Sequence, residues 1–138
     1  MKYLTIIFAL FFFSCCGPDG CGTDEFQEYC YYCFIELEAP DLDLDEDGYY
    51  RFTYNNGIPT FDLSAYVGYE YEYVGWTTDL TYQDTPMING STYSNEEGYA
   101  NTIMYTHEEH IGQIATIWAG YYDNHGNQWI DSIKVVIE

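Results

Sequence analysis

Apolar and polar residues alternate most regularly in residues 61–73, where every odd-numbered position is apolar or aromatic. Asp62, Ser64, Glu70 and Glu72 take positions between them. A period of two residues is typical of a β-strand with one buried and one solvent-facing side. Gly68, near the middle of the run, predicts a bulge or bend, because glycine weakens the interior of a strand.

Shorter runs of the same kind predict further strands at residues 35–38, 49–54, 99–106, 113–122 and 130–137, with smaller ones at 80–82 and 92–93. Turn-forming residues separate them, at residues 45–48, 55–57, 89–90, 96–98 and 123–127. Beyond the N-terminal region we find no convincing amphipathic helix. About seven short strands spaced by turns predict an all-β fold over residues 34–138, an antiparallel β-sandwich.

The N-terminus has a different pattern, in which Lys2 precedes a run of ten residues, 4–13, that are apolar except for Thr5. This run is about half of the roughly 20 residues that a membrane-spanning helix needs, so residues 1–14 are predicted to be a signal peptide. Ser14 followed by Cys15 resembles the lipobox of bacterial lipoproteins, which implies that Cys15 is lipidated and anchors the protein to a membrane. Cleavage before Cys16 is the alternative.

The cysteine count supports lipidation of Cys15, because five cysteines are an odd number for a secreted chain. Lipidation leaves Cys16, Cys21, Cys30 and Cys33, which can form two disulfides in an oxidising compartment. In one extended strand Cys30 and Cys33 would stand about 10 Å apart, beyond the reach of a disulfide. We therefore expect each to pair with Cys16 or Cys21, within a cysteine-rich tether over residues 15–33.

The charge of the chain is strongly acidic. Residues 15–138 contain 23 acidic residues and two basic ones, Arg51 and Lys134, which gives a formal net charge of −21. Such a surface repels nucleic acid and anionic lipid headgroups, so nucleic acid is excluded as a partner. The chain is nevertheless 20% aromatic, which provides enough apolar surface for a packed core rather than a disordered chain.

The aromatic residues number 28, including 17 tyrosines, more than one small core requires. Some are therefore expected on the surface, where tyrosine and tryptophan suit protein interfaces and stacking on sugar rings. The candidates for such a binding surface are Tyr66, Trp76, Tyr121, Tyr122 and Trp129.

The densest polar segment is residues 41–48, which hold five carboxylates closed by Gly48. Asp43, Asp45 and Asp47 match the first, third and fifth positions of the calcium loop D-x-D-x-D-G. Arg51 and Tyr54 occupy positions where that loop has ligands. No cofactor is required by this pattern, but a weakly bound structural calcium is a hypothesis, and a solvated acidic hairpin is the alternative.

Catalytic patterns are weak in this chain. His107 and His110 are three residues apart between two predicted strands, whereas a zincin helix needs a spacing of four, so a turn is the simpler interpretation. No serine or cysteine has an identifiable histidine and carboxylate partner. From the sequence we predict that the chain is not an enzyme.

Four segments in the last 50 residues, 98–102, 112–119, 123–127 and 131–137, resemble the closing strands of bacterial Ig-like domains of the invasin and intimin type. Residues 45–52 and 66–70 also resemble elements of carboxypeptidase-regulatory-like domains. Both families imply an Ig-like or prealbumin-like sandwich without catalysis. Short, acidic, tyrosine-rich lipoproteins of this kind resemble those of Bacteroidetes-type bacteria, which implies the outer membrane and its cell surface, although the periplasmic face also fits.

These observations lead to the hypothesis of a lipid-anchored, non-enzymatic accessory module that binds a larger outer-membrane or surface protein. Two alternatives stay open. One is a carbohydrate-binding lipoprotein, and the other is a spacer stiffened by calcium.

Overall fold

The computed structural model describes residues 33–138, of which Phe34–Glu138 form one compact unit. The predicted signal peptide and lipidated Cys15 lie outside the described residues, as do Cys16, Cys21 and Cys30. Cys33 is described and its side chain is buried, but the predicted pairing with Cys16 or Cys21 stays a prediction.

The described chain is all-β, as the alternation predicted. Its eleven strands are β1 (Glu36–Glu38), β2 (Asp43–Leu44), β3 (Tyr50–Phe52), β4 (Thr60–Tyr66), β5 (Tyr73–Thr78), β6 (Thr81–Tyr82), β7 (Thr85–Pro86), β8 (Asn89–Tyr93), β9 (Tyr99–Tyr105), β10 (Ile114–Tyr122) and β11 (Gln128–Ile137). One 3-10 turn, Glu108–His110, lies between β9 and β10. Within residues 33–138 no helix is long and apolar enough to cross a membrane.

The strands form a sandwich of two sheets with one core. The smaller sheet has the order β1-β4-β9, the larger has the order β2-β3-β11-β10-β5-β8, and β6 and β7 form a separate hairpin. Pairing is antiparallel except between β3 and β11, which run parallel. Leu63 and Met104 from the smaller sheet and Ile117 and Val135 from the larger share one buried cluster. The predicted antiparallel β-sandwich is confirmed.

Asp131 on β11 also links the two sheets. Its Oδ2 accepts a hydrogen bond of 2.8 Å from the backbone N–H of Leu37 on β1. Strand β1 is at the edge of its sheet and pairs only with β4, so the carboxylate supplies a partner for an N–H that the sheet leaves unpaired.

The predicted strand over residues 61–73 is wrong in one respect, because it is two strands in different sheets. Strand β4 ends at Tyr66, and Gly68 takes φ +78° in the segment that crosses to β5 in the other sheet. A positive φ is a conformation that glycine adopts at little cost. Gly68 therefore helps the chain to leave the sheet, where the sequence predicted a bulge or bend within one strand.

Three turns share one hydrogen-bond pattern, at residues 45–49, 95–99 and 123–127. In each, Oδ1 of the first residue accepts hydrogen bonds of 2.8–3.0 Å from the backbone N–H groups of the third and fifth residues. The fourth residue is glycine, with φ of +83° at Gly48, +85° at Gly98 and +80° at Gly126. Asp or Asn three residues before a glycine is therefore the local sequence signal for these turns.

Candidate binding surfaces

The outward face of four neighbouring strands in the larger sheet lacks carboxylates. Alternation and register direct the following side chains away from the core: Tyr73, Gly75 and Thr77 from β5; Asn89, Ser91 and Tyr93 from β8; Ile114, Thr116, Trp118, Gly120 and Tyr122 from β10; and Gln128, Ile130, Ser132, Lys134 and Val136 from β11. We call this surface the neutral face. Its single charged residue is Lys134, although the whole chain has 23 acidic residues. At its edge, directly after β5, the exposed Asp79 carboxylate accepts a hydrogen bond of 2.7 Å from the Thr116 N–H.

Aromatic and aliphatic side chains of the neutral face are well exposed. Tyr73 and Tyr93 lie across from each other with ring centroids 5.0 Å apart, and they are 58% and 65% exposed. Tyr122 is 64% exposed and Ile130 is 56% exposed. Soluble surfaces seldom leave such groups together in one patch without carboxylates unless the patch binds something.

A trough runs through the neutral face where Gly75 and Gly120 are register partners. Its volume is about 400 Å³, and its other lining residues include Asn89, Ser91, Trp118, Tyr122, Gln128 and Ile130. A Cβ on Gly120 would lie 2.9 Å from the backbone oxygen of Trp129, so only glycine fits there without a shift. The missing side chains deepen the sheet surface between the tryptophan and the tyrosine.

The structure corrects two of the five predicted binding aromatics. Trp76 and Tyr121 are buried in the core, each 3% exposed, because they occupy inward positions of β5 and β10. The indole N–H of Trp76 donates to Thr92 Oγ1 at 2.8 Å. The sequence did not single out Trp118, Tyr73 and Tyr93 as outward-facing residues, because their direction depends on the phase of their strands.

The remaining predicted aromatics lie in three different places. Tyr122 belongs to the neutral face. Tyr66 is half-buried on the outer face of the smaller sheet, with its ring centroid 4.7 Å from that of Tyr99. Trp129 is half-buried and packs against the core. The five residues therefore do not form one surface.

Trp129 is held by the turn that precedes it. Its indole N–H donates to Asp123 Oδ2 at 3.1 Å, and the Asn127 side chain donates to the same oxygen at 3.0 Å. Burial of the Asp123 carboxyl would raise its pKa, but these bonds and those from the backbone of Asn127 and His125 outweigh burial and hold the pKa well below its usual range. Burial also raises the pKa of Glu72, and the charge of Asp123 adds to this rise.

We expect Asp123→Asn to lower the melting temperature at pH 7. The new amide would direct an N–H at the two donors of Asn127 and Trp129, and the charge that strengthens both bonds would be lost. Because the folded-state pKa is depressed, this stabilisation is present above the unfolded pKa of about 3.9 and is lost as pH falls. The difference between wild type and variant should therefore shrink below about pH 4. Thermal melts from pH 3 to 8 test this.

The matched control is Asn95→Asp, in the equivalent turn. Described hydrogen bonds to the Asn95 side chain come from the backbone alone, and an aspartate can accept both of them. A loss of stability for Asn95→Asp equal to that for Asp123→Asn would contradict the role assigned to the Oδ2 contacts.

The acidic segment forms the hairpin of β2 and β3 rather than an open ligand loop. Asp45 Oδ1 accepts from the backbone N–H groups of Asp47 and Tyr49, and Oδ2 receives the Arg51 guanidinium at 2.6 Å. The Tyr49 N–H, followed by Arg51, lowers the pKa of Asp45. Both carboxylate oxygens are thus already used within the hairpin.

The calcium hypothesis placed Asp43, Asp45 and Asp47 around one ion. In residues 33–138 no group of three or more His, Cys, Asp or Glu side chains is arranged to hold a metal ion. The solvated acidic hairpin, the alternative for this segment, agrees with the observed geometry.

His107 and His110 belong to the 3-10 turn between β9 and β10, as expected for a turn. His110 is 2% exposed, and its Nδ1 accepts from the backbone N–H of His107 at 2.9 Å. Its Nε2 therefore carries the hydrogen that is donated to the Thr81 carbonyl oxygen, 2.9 Å away. These bonds use both ring nitrogens of His110 to join the turn to β6.

No protein-family model matches the chain, and no curated protein matches it either. The fold class is that of an all-β sandwich also found among superoxide reductases. Two solved structures of superoxide reductase (neelaredoxin) from Ignicoccus hospitalis are similar, each with a TM-score of 0.51 and 12% identity. The alignments cover 77% and 76% of this chain and 81% and 80% of those chains.

This comparison contradicts the prediction that the chain is not an enzyme. Both similar structures are enzymes by name, so this fold supports catalysis in other proteins. At 12% identity the likeness shows the fold alone, because one fold hosts many unrelated functions. The resemblance to invasin-type and carboxypeptidase-regulatory-like domains stays a prediction.

Proposed function

We propose that the chain is a lipid-anchored module of a bacterial outer membrane, displayed at the cell surface, which docks through its neutral face on a larger outer-membrane or surface protein. The observation that carries the proposal is the exclusion of carboxylates from the outward side of β5, β8, β10 and β11. Charged residues are depleted, and tyrosine and tryptophan enriched, at the centres of protein interfaces.

The charge distribution favours docking over simple solvation. The chain has 23 acidic residues and a net charge of −20, and charge of this magnitude keeps a protein surface soluble. Instead, the neutral face exposes Tyr73, Tyr93, Tyr122 and Ile130 by more than half. Exposed apolar groups without nearby charge lower the solubility of the protein, and a docked partner would cover them.

The size of the neutral face also fits an interface. Strands β5, β8, β10 and β11 have six, five, nine and ten residues. At about 3.3 Å along a strand and about 4.8 Å between strands, each residue covers about 16 Å². The face is therefore roughly 480 Å² in planar area, more than half of the ~800 Å² that each partner buries in a standard interface.

One observation favours a second candidate, a carbohydrate partner. The trough at Gly75 and Gly120 is concave, and it offers the amides of Asn89 and Gln128 beside the Trp118 and Tyr122 rings. Neutral sugars use this combination of hydrogen-bonding groups and ring faces. The two candidates share a surface and differ in what occupies it.

We expect Ile130→Glu to abolish co-purification of the partner with the full-length lipoprotein from gently solubilised native membranes. The substitution places a negative charge beside the trough of the neutral face, where its desolvation on docking is costly. The matched control is Ile58→Glu, at a position 66% exposed in the turn before β4. The measurement is the molar ratio of recovered partner to lipoprotein by quantitative mass spectrometry.

Wild type and the Ile58 variant should recover one large protein in constant ratio, and the Ile130 variant should recover none. Equal recovery with both variants would refute docking through the neutral face. Recovery of the lipoprotein alone, together with glycan binding that Ile130→Glu removes, would support the carbohydrate candidate instead.

A further inference from the structure

The outer face of the smaller sheet carries a second concave surface. An open furrow of about 700 Å³ is lined by Glu38, Asp62, Ser64, Asn101, Ile103 and Tyr105, among other residues. Register places Glu38, Ser64 and Asn101 side by side across β1, β4 and β9, with Asp62 and Ile103 paired in the next outward row. We call this surface the acidic furrow.

Within residues 33–138 no Lys or Arg side chain lies near the carboxylates of the acidic furrow. Apart from Lys2, the only Lys or Arg residues are Arg51 and Lys134, and both belong to the larger sheet. Arg51 binds Asp45 at 2.6 Å and Glu138 at 2.7 Å, and the Lys134 Nζ lies 5.6 Å from the Tyr49 ring centroid. Glu36, which is outward on β1 one row beyond Glu38, adds a third negative charge.

Ser64 is a second, independent feature of the furrow. Its residue is 7% exposed although it occupies an outward position at the centre of the sheet. The Ser64 hydroxyl makes no hydrogen bond within residues 33–138. Every fully buried side-chain oxygen of those residues has a partner, so the Ser64 oxygen is not fully buried. The hydroxyl oxygen is therefore accessible from the furrow, where a ligand group can form a hydrogen bond with it in place of water.

The spacing of the carboxylates decides the kind of cation. Glu38 lies beside Ser64 across one strand spacing, and Asp62 is two residues from Ser64 along β4, so their Cα atoms are about 8 Å apart. In residues 33–138 no three His, Cys, Asp or Glu side chains are arranged to hold a metal ion, so each of these two carboxylates suits a separate organic cation. Ile103 and Tyr105, 46% and 56% exposed, offer apolar contact beside the charges.

We propose that the acidic furrow binds an extended, lysine- or arginine-bearing peptide segment of a partner protein. Basic side chains pair with Glu38 and Asp62, their aliphatic stems pack on Ile103 and Tyr105, and the peptide backbone hydrogen-bonds with Ser64 and Asn101. This site is on the smaller sheet and does not depend on the neutral face. The module would then have two contact surfaces, one without carboxylates and one that is acidic.

The test uses the full chain in non-ionic detergent and a fluorescein-labelled, N-acetylated Lys-Ala-Lys-Ala-Lys amide, followed by fluorescence anisotropy at physiological salt. The same peptide with acetylated lysines measures binding without charge. The double variant Glu38→Gln/Asp62→Asn should weaken binding of the lysine peptide by roughly tenfold, as expected for the loss of two exposed ion pairs.

The matched control is Glu46→Gln/Asp47→Asn, which makes the same change of charge in the turn between β2 and β3. It should leave the affinity within about twofold of wild type, because distant exposed charges are screened by salt. Equal weakening by both double variants would show attraction by net charge alone and would overturn the proposal.

Ser64→Ala tests the role of the hydroxyl. It should weaken peptide binding severalfold without lowering the melting temperature, since the hydroxyl makes no described bond within the protein. Failure of the lysine peptide to bind at millimolar concentration would overturn the proposal, as would binding of a glucosamine oligomer but not the peptide. Neither outcome affects the Ile130→Glu experiment, which concerns the other sheet.

Discussion

Trp76→Ala is expected to lower the free energy of unfolding by about 3–5 kcal/mol, as for other fully buried large aromatics. Trp76 is 3% exposed in the inner row of β5, and its indole N–H is bonded to Thr92 Oγ1. Removal leaves a cavity in the core and an unpaired hydroxyl on β8. Urea denaturation followed by circular dichroism measures the change.

Trp118→Ala is the matched control, because Trp118 lies half-buried on the outward side of the adjacent strand β10. Its loss removes contacts on one side only, so the free energy of unfolding should fall by about 1 kcal/mol. Equal losses for the two variants would mean that the inward and outward assignments of β5 and β10 are wrong.

Gly98→Ala is expected to be the second large loss, by about 3 kcal/mol. Two costs combine: an alanine at φ +85° is strained by about 1–2 kcal/mol, and its Cβ would lie 2.9 Å from the backbone of Gly68. That contact is backbone on both sides and cannot yield by a change of rotamer. The crossing between the two sheets would have to shift, because the Val67 N–H donates to the Gly98 oxygen at 2.9 Å.

Gly48→Ala separates the two costs. Gly48 has nearly the same φ, +83°, in a turn with the same hydrogen bonds, but a Cβ there meets no atom within 4 Å. Its loss should be limited to the backbone strain of about 1–2 kcal/mol. If thermal or urea denaturation gives the same loss for both variants, the contact between Gly98 and Gly68 has no energetic weight.

The strands with long, regular alternation could be predicted from the sequence. Strand β9 was expected at residues 99–106 and is Tyr99–Tyr105, and β10 was expected at 113–122 and is Ile114–Tyr122. The turns at 45–48, 96–98 and 123–127 were also expected and are formed. In these segments the local preference of the residues agrees with burial in the folded protein, which is why a local pattern was sufficient.

Strand β5 could not be predicted because the buried phase changes after β4. Odd-numbered residues such as Leu63 and Ala65 face the core in β4, whereas even-numbered residues such as Val74 and Trp76 face it in β5. The alternation of residues 69–73 continued the old phase and hid the change. Asn89 and Gly90, expected as a turn, begin β8 instead, because pairing with β5 overrides their turn preference.

The sequence could predict the residue types of the candidate binding site but not which residues form it. The excess of aromatic residues correctly indicated that some lie on the surface, and Tyr122 does. Which others join it depends on strand phase and register, so Trp76 and Tyr121 were assigned to the wrong side while Trp118 was not among the candidates. The calcium hypothesis used spacing alone, and Arg51 occupies the carboxylate that it required.

Amino-acid composition and the two-residue period of apolar residues were enough to determine that this chain is an acidic, aromatic-rich, all-β protein. They also located turns that combine Asp or Asn with glycine. These properties follow from side-chain chemistry and local backbone preference. The neutral face and the acidic furrow were decided only by the tertiary structure. Residues 73–93 and 114–136 meet in one sheet, and β1, β4 and β9 meet in the other, through long-range strand pairing. A face composed of such strands has no signature in any local stretch of sequence, since its members become neighbours only when the sheets form.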